Sequence, residues 1–281
     1  KVLACCATVE SDVTIEADID VDEDFEGYPV EDYTATVTDI VELSPTIKGI
    51  HLKLDRQMTF QAGQYINIGL PGVDGARAFS LANPPSKAGE VELHVRLVEG
   101  GAATPYIHQQ LNVGEQLHLS GPYGQFFVRS SQPGNLIFIA GGSGLSSPQS
   151  MIIDLLEQGD DRQITLFQGA RNLAELYNRE LFEGLARDND NFTYVPALSQ
   201  ADEDGEWSGF RGYVHDAARE HFGGRFAEHK AYLCGPPPMI DAAITALMQG
   251  RLFERDIFME KFLTAADGAE ETQRSALFKK I

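Results

Sequence analysis

Along "GEVELHVRLVEGG" hydrophobic and polar residues alternate with period two. Val91, Leu93, Val95 and Leu97 fall on one face, and Glu92, His94 and Arg96 on the other. The segments "IKGIHLKLD", "GQYINIGL" and "EQLHLSGPYG" alternate in the same way, with Gly and Pro between them. From Tyr33 to about Arg129 the chain therefore reads as short strands joined by regular turns, the signature of an antiparallel β-barrel. One helix interrupts them at "TPYIHQQL", where Thr104 stands as the cap and Pro105 as the first helical residue. Beyond this region the period changes. "NLIFIA" is a continuous apolar run, as expected of a parallel strand covered on both faces. A glycine-rich turn and a helix at "PQSMIIDLLEQ" follow. The cycle repeats with "RQITLFQGAR" and "LAELYNRELFEGLA", then "NFTYVPAL" and "GYVHDAARE". It returns with "KAYLCG" and "PPPMIDAAITALMQ", and closes on "DIFMEKF". Strand alternating with helix in this way predicts a parallel α/β sheet. The expected architecture is thus a two-domain α+β and α/β chain, a barrel followed by a nucleotide-binding type of domain.

Composition adds to this picture in three places. The chain has 281 residues, enough for two domains with cores, and no apolar run long enough to span a bilayer. Its net charge of −20, with no basic stripe, argues against a nucleic-acid partner. Three cysteines (Cys5, Cys6 and Cys234) make no disulfide framework and fit a reducing, cytoplasmic setting. No lysine or arginine lies between Val2 and Ile47, and "EADIDVDEDFEGYPVED" reads as a self-repelling linker or solvated edge. No internal repeat or low-complexity tract is visible.

The candidate chemistry sits where strands end. In open parallel sheets, ligands collect outside the carboxyl ends of the strands. There the sequence places "AGGSGLSSP" after the first strand, "GAR" after the second and "CGPPPM" after the fourth. Glycines let backbone approach a pyrophosphate, and a helix start with Ser147 before Pro148 presents free N–H groups. The turn lacks the Lys-Ser/Thr of a P-loop. It also fails as a nucleophile elbow, because Leu145 stands two residues after Ser143 where a glycine is needed. In the barrel, "RAFSLANPP" offers an arginine for phosphate, an aromatic for a ring and a hydroxyl for a ring nitrogen. Taken singly, each feature has a plain alternative: a tight turn, a small buried cysteine, a surface arginine, an ordinary strand.

As a set, these motifs resemble the ferredoxin–NADP reductase superfamily. There R-x-[YF]-S binds flavin, G-[TS]-G-[LI]-x-x-P binds the nicotinamide dinucleotide, and C-G-P-P-x-M lies by the nicotinamide. The resemblance covers about residues 30–264. Within the superfamily, "RAFSLAN", "EGGAATPYIH", "AGGSGLSSPQSMI" and "FMEKFLTAAD" are most similar to reductase components of bacterial phenol hydroxylases and related multicomponent monooxygenases.

The resemblance implies four regions. Residues 1–27 would be the tail of a ferredoxin domain and an acidic linker, 28–131 an FAD-binding barrel, 132–264 an NAD(P)-binding domain, and 265–281 a C-terminal tail. It implies that Cys5, in "VLACCAT", is the last ligand of a plant-type [2Fe–2S] cluster, with Cys6 an extra thiol. Such a cluster needs C-x4-C-x2-C upstream, so the expectation is a fragment that holds no cluster, the [2Fe–2S] centre belonging to the intact protein.

It also assigns residues. Arg77 would bind the FAD pyrophosphate and Ser80 the flavin N5, with Ala78, Phe79 and Leu81 on the wall. His94, Val95 and Arg96 would border the ribityl chain, and Gly101, Ala102, Ala103 and Thr104 the flavin phosphates. Gly141, Gly142, Ser143, Gly144 and Leu145 would hold the NAD(P)H pyrophosphate, and Arg171 the adenosine side. Cys234, Gly235 and Pro236 would frame the nicotinamide. Glu260 and Phe262 would approach the flavin, with Phe258 an alternative shield. Ser80, Cys234 and Glu260 would be the catalytic set. The implied activity is hydride transfer from NADH to FAD, with NADPH possible. Single electrons would then pass through the [2Fe–2S] centre to a di-iron hydroxylase acting on an aromatic compound. Stand-alone flavin reductases, haem-protein reductases and a nucleotide-binding redox sensor are the other classes such domains allow.

Overall fold

A computed structural model describes residues 22–201, 205 and 207–262. Cys5, Cys6 and the tail from Ala265 lie outside the described residues.

The first half is a six-stranded antiparallel sheet. Its strands are β1 (Glu31–Ser44), β2 (Ile47–Leu54), β3 (Tyr65–Gly69), β4 (Arg77–Ser80), β5 (Glu90–Arg96) and, after helix α1 (Ala103–Gln109), β6 (Gln116–Tyr123). Their order is β4-β3-β6-β1-β2-β5. Ala82 N–H donates to the Glu92 carbonyl at 2.8 Å, which brings the two edge strands together. The Asn83 amide extends this join, donating to the Glu90 carbonyl at 3.0 Å and accepting from Glu92 N–H at 2.9 Å. A side-chain amide thus stands in for a strand residue, satisfying edge groups that would otherwise be open. Inward-facing Ile66, Ile68, Val91, Leu93, Val95, Leu117 and Leu119 form the core, as period two requires.

The second half is a parallel sheet of β7 (Asn135–Gly141), β8 (Ile164–Ala170), β9 (Phe192–Leu198), β10 (Phe210–Arg211), β11 (His229–Gly235) and β12 (Ile257–Lys261). Helices α2 (Ser146–Gln158), α3 (Arg179–Asp188), α4 (Val214–His221) and α5 (Pro237–Gln249) connect the strands. The order is β10-β9-β8-β7-β11-β12. Leu136, Phe138 and Ala140 of β7 pack with Ile152 and Leu155 of α2. Ile137 and Ile139 pack with Ala217 of α4 and Ile240 of α5. Burial on both faces explains why "NLIFIA" has no polar alternation. The chain reverses direction across the sheet between β7 and β11, the switch point where a crevice opens.

Three local expectations need correction. Thr104 does not cap α1. Helical geometry begins at Ala103, and the Thr104 hydroxyl instead accepts from Val98 N–H at 2.9 Å, closing the preceding turn. "LAELYNRELFEGLA" is not one helix. A short 3-10 turn at Leu173–Glu175 ends, and Asn178 takes a left-handed φ of 55° before α3 begins. This break lets Tyr177 turn inward and become buried, and Asn tolerates the conformation better than most residues. Finally, the described end of the acidic stretch is not free in solvent. Arg129, 7% exposed, lies 4.1 Å from the Phe127 ring and 4.4 Å from that of Phe258. Such a buried cation needs a counter-charge, and Asp22 supplies it at 2.8 Å. Asp24 accepts from the Ser131 hydroxyl and N–H, and Phe25 stacks on Phe127.

Candidate functional site

Between the two domains lies a cleft of about 720 Å³, a size suited to a small-molecule or cofactor site. Ala78, Phe79 and Ser80 of β4 and His94, Val95 and Arg96 of β5 form the barrel side, with Thr104. Gly141, Ser143, Gly235, Pro236, Glu260 and Phe262 form the opposite side. A second cavity of about 240 Å³ continues along the α/β side and is bordered by Arg96, Gly142, Arg171, Glu175 and Pro236. Arg96 therefore stands at the join of the two spaces. Among the described residues its guanidinium has no ion-pair partner, so positive charge is available there.

Ser80, Ser147, Cys234 and Glu260 converge at the seam from four elements. Glu260 Oε2 accepts from the Ser80 hydroxyl at 3.2 Å and the Ser147 hydroxyl at 3.3 Å, with Cys234 Sγ at 3.9 Å. The register of β12 beside β11 pairs Glu260 directly with Cys234, which fixes this arrangement through backbone geometry. Burial pushes the Glu260 carboxyl above its ordinary range, and the hydrogen bonds from Ser80, Ser147 and Cys234 offset only part of that. Burial, reinforced by the Glu260 charge, holds the Cys234 thiol well above its usual value, so Cys234 stays protonated and is no nucleophile. The cluster is a hydrogen-bond site around a carboxyl whose proton affinity burial has raised.

The glycine turn is built for close packing. A Cβ on Gly144 would lie 2.5 Å from the Cys234 carbonyl oxygen and 2.5 Å from Gly235 Cα, so only glycine lets the turn rest on the end of β11. Gly235 itself, at φ +146°, meets the Gly141 carbonyl at the mirror point. These glycines bring the two strand ends of the switch point together.

Several expected residues lie elsewhere. Arg77 is exposed and turns onto the carbonyls of Asp74, Gly75 and Ala76, outside the cleft lining. Leu145 is 0% exposed, a core residue under the turn. Gly101, Ala102 and the buried Ala103 form the turn into α1 without lining the cleft. Cys234, also 0% exposed, lies beneath Glu260. Phe258 stacks on Tyr232 and lies against Arg129, outside the cleft lining. Conversely, sequence reading missed Tyr65, Lys261, Pro237 and Pro238 on the cleft wall, and the Ser147 contact with Glu260. The triple proline was the one available signal. Ser147 had none, since its partner is 113 residues away.

Comparison with known proteins agrees with this geometry. The oxidoreductase FAD-binding domain model matches residues 34–128, and the oxidoreductase NAD-binding domain model matches residues 138–245. The chain is 74% identical over its full length to the reductase component DmpP of phenol 2-monooxygenase from Pseudomonas sp. (strain CF600), spanning 80% of that protein. It is 65% identical, with the same coverage, to the phenol hydroxylase P5 protein of Acinetobacter pittii (strain PHEA-2). Among solved structures, the ferredoxin reductase in carbazole 1,9a-dioxygenase superimposes with a TM-score of 0.75 at 27% identity, covering 84% of this chain and 71% of that one. The cleft, its uncapped α2 start and the available Arg96 fit the flavin and dinucleotide such domains bind. The chain belongs to the family of FAD- and NAD-binding oxidoreductases that contains the reductase components of phenol hydroxylases.

Proposed function

We propose that this chain takes hydride from NADH onto FAD at the domain seam and serves as the reductase of a phenol or related aromatic hydroxylase. The observation that carries this reading is the meeting of Ser80 from the barrel with Glu260 from the α/β domain inside one cleft. FAD, when bound, supplies two-electron acceptance and single-electron release. The protein's part is placement. Ala78 and Phe79 would wall the ring site, the Ser80 hydroxyl would hydrogen-bond the flavin, and Phe262 would close the site from the α/β side. Gly235 and Pro236 frame the nicotinamide, over a protonated Cys234 that offers a compact, neutral floor. The Glu260 carboxyl, its proton affinity raised by burial, stands beside them. Arg96 and the Gly142 turn would receive the phosphates, with Arg171 at the adenosine end, and Arg77 would leave the carbonyls of its own turn to reach the FAD pyrophosphate. This placement requires residues 28–131 and 132–264 to act as the flavin and dinucleotide units.

NADH is the favoured donor. The one cation added at the adenosine end, Arg171, is paired with Glu175 at 3.2 Å, and that carboxylate disfavours a ribose 2′-phosphate. Cys5 is the proposed ligand of a [2Fe–2S] centre, which would supply single-electron carriage toward a di-iron hydroxylase partner in the cytoplasm. The purified protein should be yellow, bleach anaerobically on adding NADH, and reduce ferricyanide at NADH's expense. A colourless protein that takes up no FAD overturns the reading.

A further inference from the structure

A second polar chain crosses the seam, touching the cleft through His94, and the chemistry above does not use it. Glu92 and His94 of β5 belong to the barrel, while Gln149 of α2 and Tyr177 belong to the α/β domain. His94 Nε2 lies 3.0 Å from Glu92 Oε1, and His94 Nδ1 lies 3.0 Å from the Tyr177 hydroxyl. That hydroxyl is also 3.1 Å from the carbonyl oxygen of Gly142, the first residue of the glycine turn.

Counting hydrogens fixes the direction of this chain. Tyr177 has one hydrogen, and a carbonyl only accepts, so Tyr177 donates to Gly142. Its oxygen must then accept from Nδ1–H of His94. Nε2 faces the Glu92 carboxylate, which completes the path from Glu92 to the turn. Gln149 Oε1 accepts from Asn178 Nδ2 at 2.7 Å, and its Nε2 reaches Glu92 Oε1 at 3.1 Å and the Ala82 carbonyl at 3.3 Å. The charged and titratable groups around the chain are His51, Lys87 and Glu157 in the groove that Glu92 borders, Arg96 beside Gly142, and Cys234 beside Tyr177.

We propose that Tyr177 is a positioning residue for the dinucleotide turn, and that Glu92 acts on that turn through His94 and Tyr177. Glu92 borders an outer groove and neither cofactor space, so it has no direct route to the dinucleotide. The latch ties the Gly142 carbonyl to the strand that carries Arg96. It thereby holds the turn's N–H groups and the guanidinium in one fixed geometry for a pyrophosphate. This inference rests on the dinucleotide reading of the turn.

The test is calorimetric binding of ADP-ribose to the FAD-loaded wild type, Tyr177→Phe, Glu92→Gln and the double variant, with FAD affinity measured in parallel. Each single variant should weaken ADP-ribose binding by about tenfold with FAD affinity unchanged, the worth of one buried hydrogen bond. The double variant should bind no more weakly than the weaker single one, because both act through one path. In wild-type protein labelled with ¹⁵N-histidine, the His94 signal, assigned with His94→Gln, should show a proton on Nδ1. Additive losses, an unaffected Glu92→Gln, or a His94 Nδ1 without a proton would each overturn the latch. Wild-type protein that binds FAD but no ADP-ribose would instead sink the reading of the turn itself. Steady-state kinetics should show the same split, a raised KM for NADH at little-changed kcat.

Discussion

Two half-buried glutamates sit at the same domain seam and are pushed in opposite directions. Glu260 accepts two hydroxyls and a thiol and faces no cation, and its carboxyl is raised. Glu92 is also penalised by burial, but hydrogen bonds from His94 and Gln149 and the charges of His94 and His51 outweigh it, and its carboxyl is lowered. The difference teaches that neutral donors alone do not offset the cost of burying a carboxylate, whereas an imidazole partner does. It also sorts the two sites. The carboxyl with the raised proton affinity borders the cleft, and the one with the lowered proton affinity ties the domains together.

The sharpest way to break this comparison is at the first cluster. Ser80→Ala should slow flavin reduction by NADH about 100-fold, as loss of one preorganised donor does, while FAD affinity changes far less. Stopped-flow absorbance measures the first and fluorescence titration the second, and an unchanged rate would remove Ser80 from the chemistry. Gly144→Ala should be next in size. Its Cβ would press on the Cys234 carbonyl, at a cost of about 2–3 kcal/mol, read in urea denaturation. An undiminished midpoint would mean that the turn does not rest on β11.

The glutamates themselves can be compared by stability against pH. For Glu92 the folded value is depressed, so its contribution is present above the unfolded pKa and lost as pH falls through the folded one. Glu92→Gln should therefore cost about 1.5 kcal/mol at pH 7, the scale of a charge-assisted hydrogen bond, and converge with wild type in strong acid. For Glu260 the folded value is raised, so ionisation opposes folding. Stability is whole below the unfolded pKa, falls as pH rises past it, and levels off beyond the folded value. Glu260→Gln should thus raise Tm relative to wild type at pH 8 and leave it nearly unchanged at pH 4. Parallel pH dependences for the two variants would erase the distinction. The smallest effect belongs outside both clusters. Arg171→Gln breaks an exposed pair with Glu175 and should alter the KM for NADH by no more than about threefold.

Local signals explain why much of this was readable in advance. Period two in "GEVELHVRLV" and the unbroken apolar "NLIFIA" correctly separate a barrel strand from a parallel one, because each pattern reports how many faces are covered. The glycines, "RAFS" and "CGPPPM" stand out because strand ends with such residues have few structural uses. Glu92 was legible only as part of the polar face of β5, and His94 beyond that only through the resemblance, as a residue beside the ribityl chain. Alternation says that a face is not in the barrel core, yet His94 on this face is buried. Tyr177 was hidden inside an apparent helix, since the left-handed Asn178 that turns it inward has no period of its own.

The sequence by itself therefore determined the two element patterns, their order, and the glycine, proline and cysteine punctuation at the strand ends. Those depend on neighbours within a few positions, where backbone geometry dictates side-chain direction. Only the tertiary structure decided which carboxylate meets which donors. The Ser80–Glu260 contact joins residues 180 positions apart, and Tyr177 and His94 lie 83 apart. Proton affinities at the seam follow from those distant pairings and from shared exclusion of water, which no local pattern encodes.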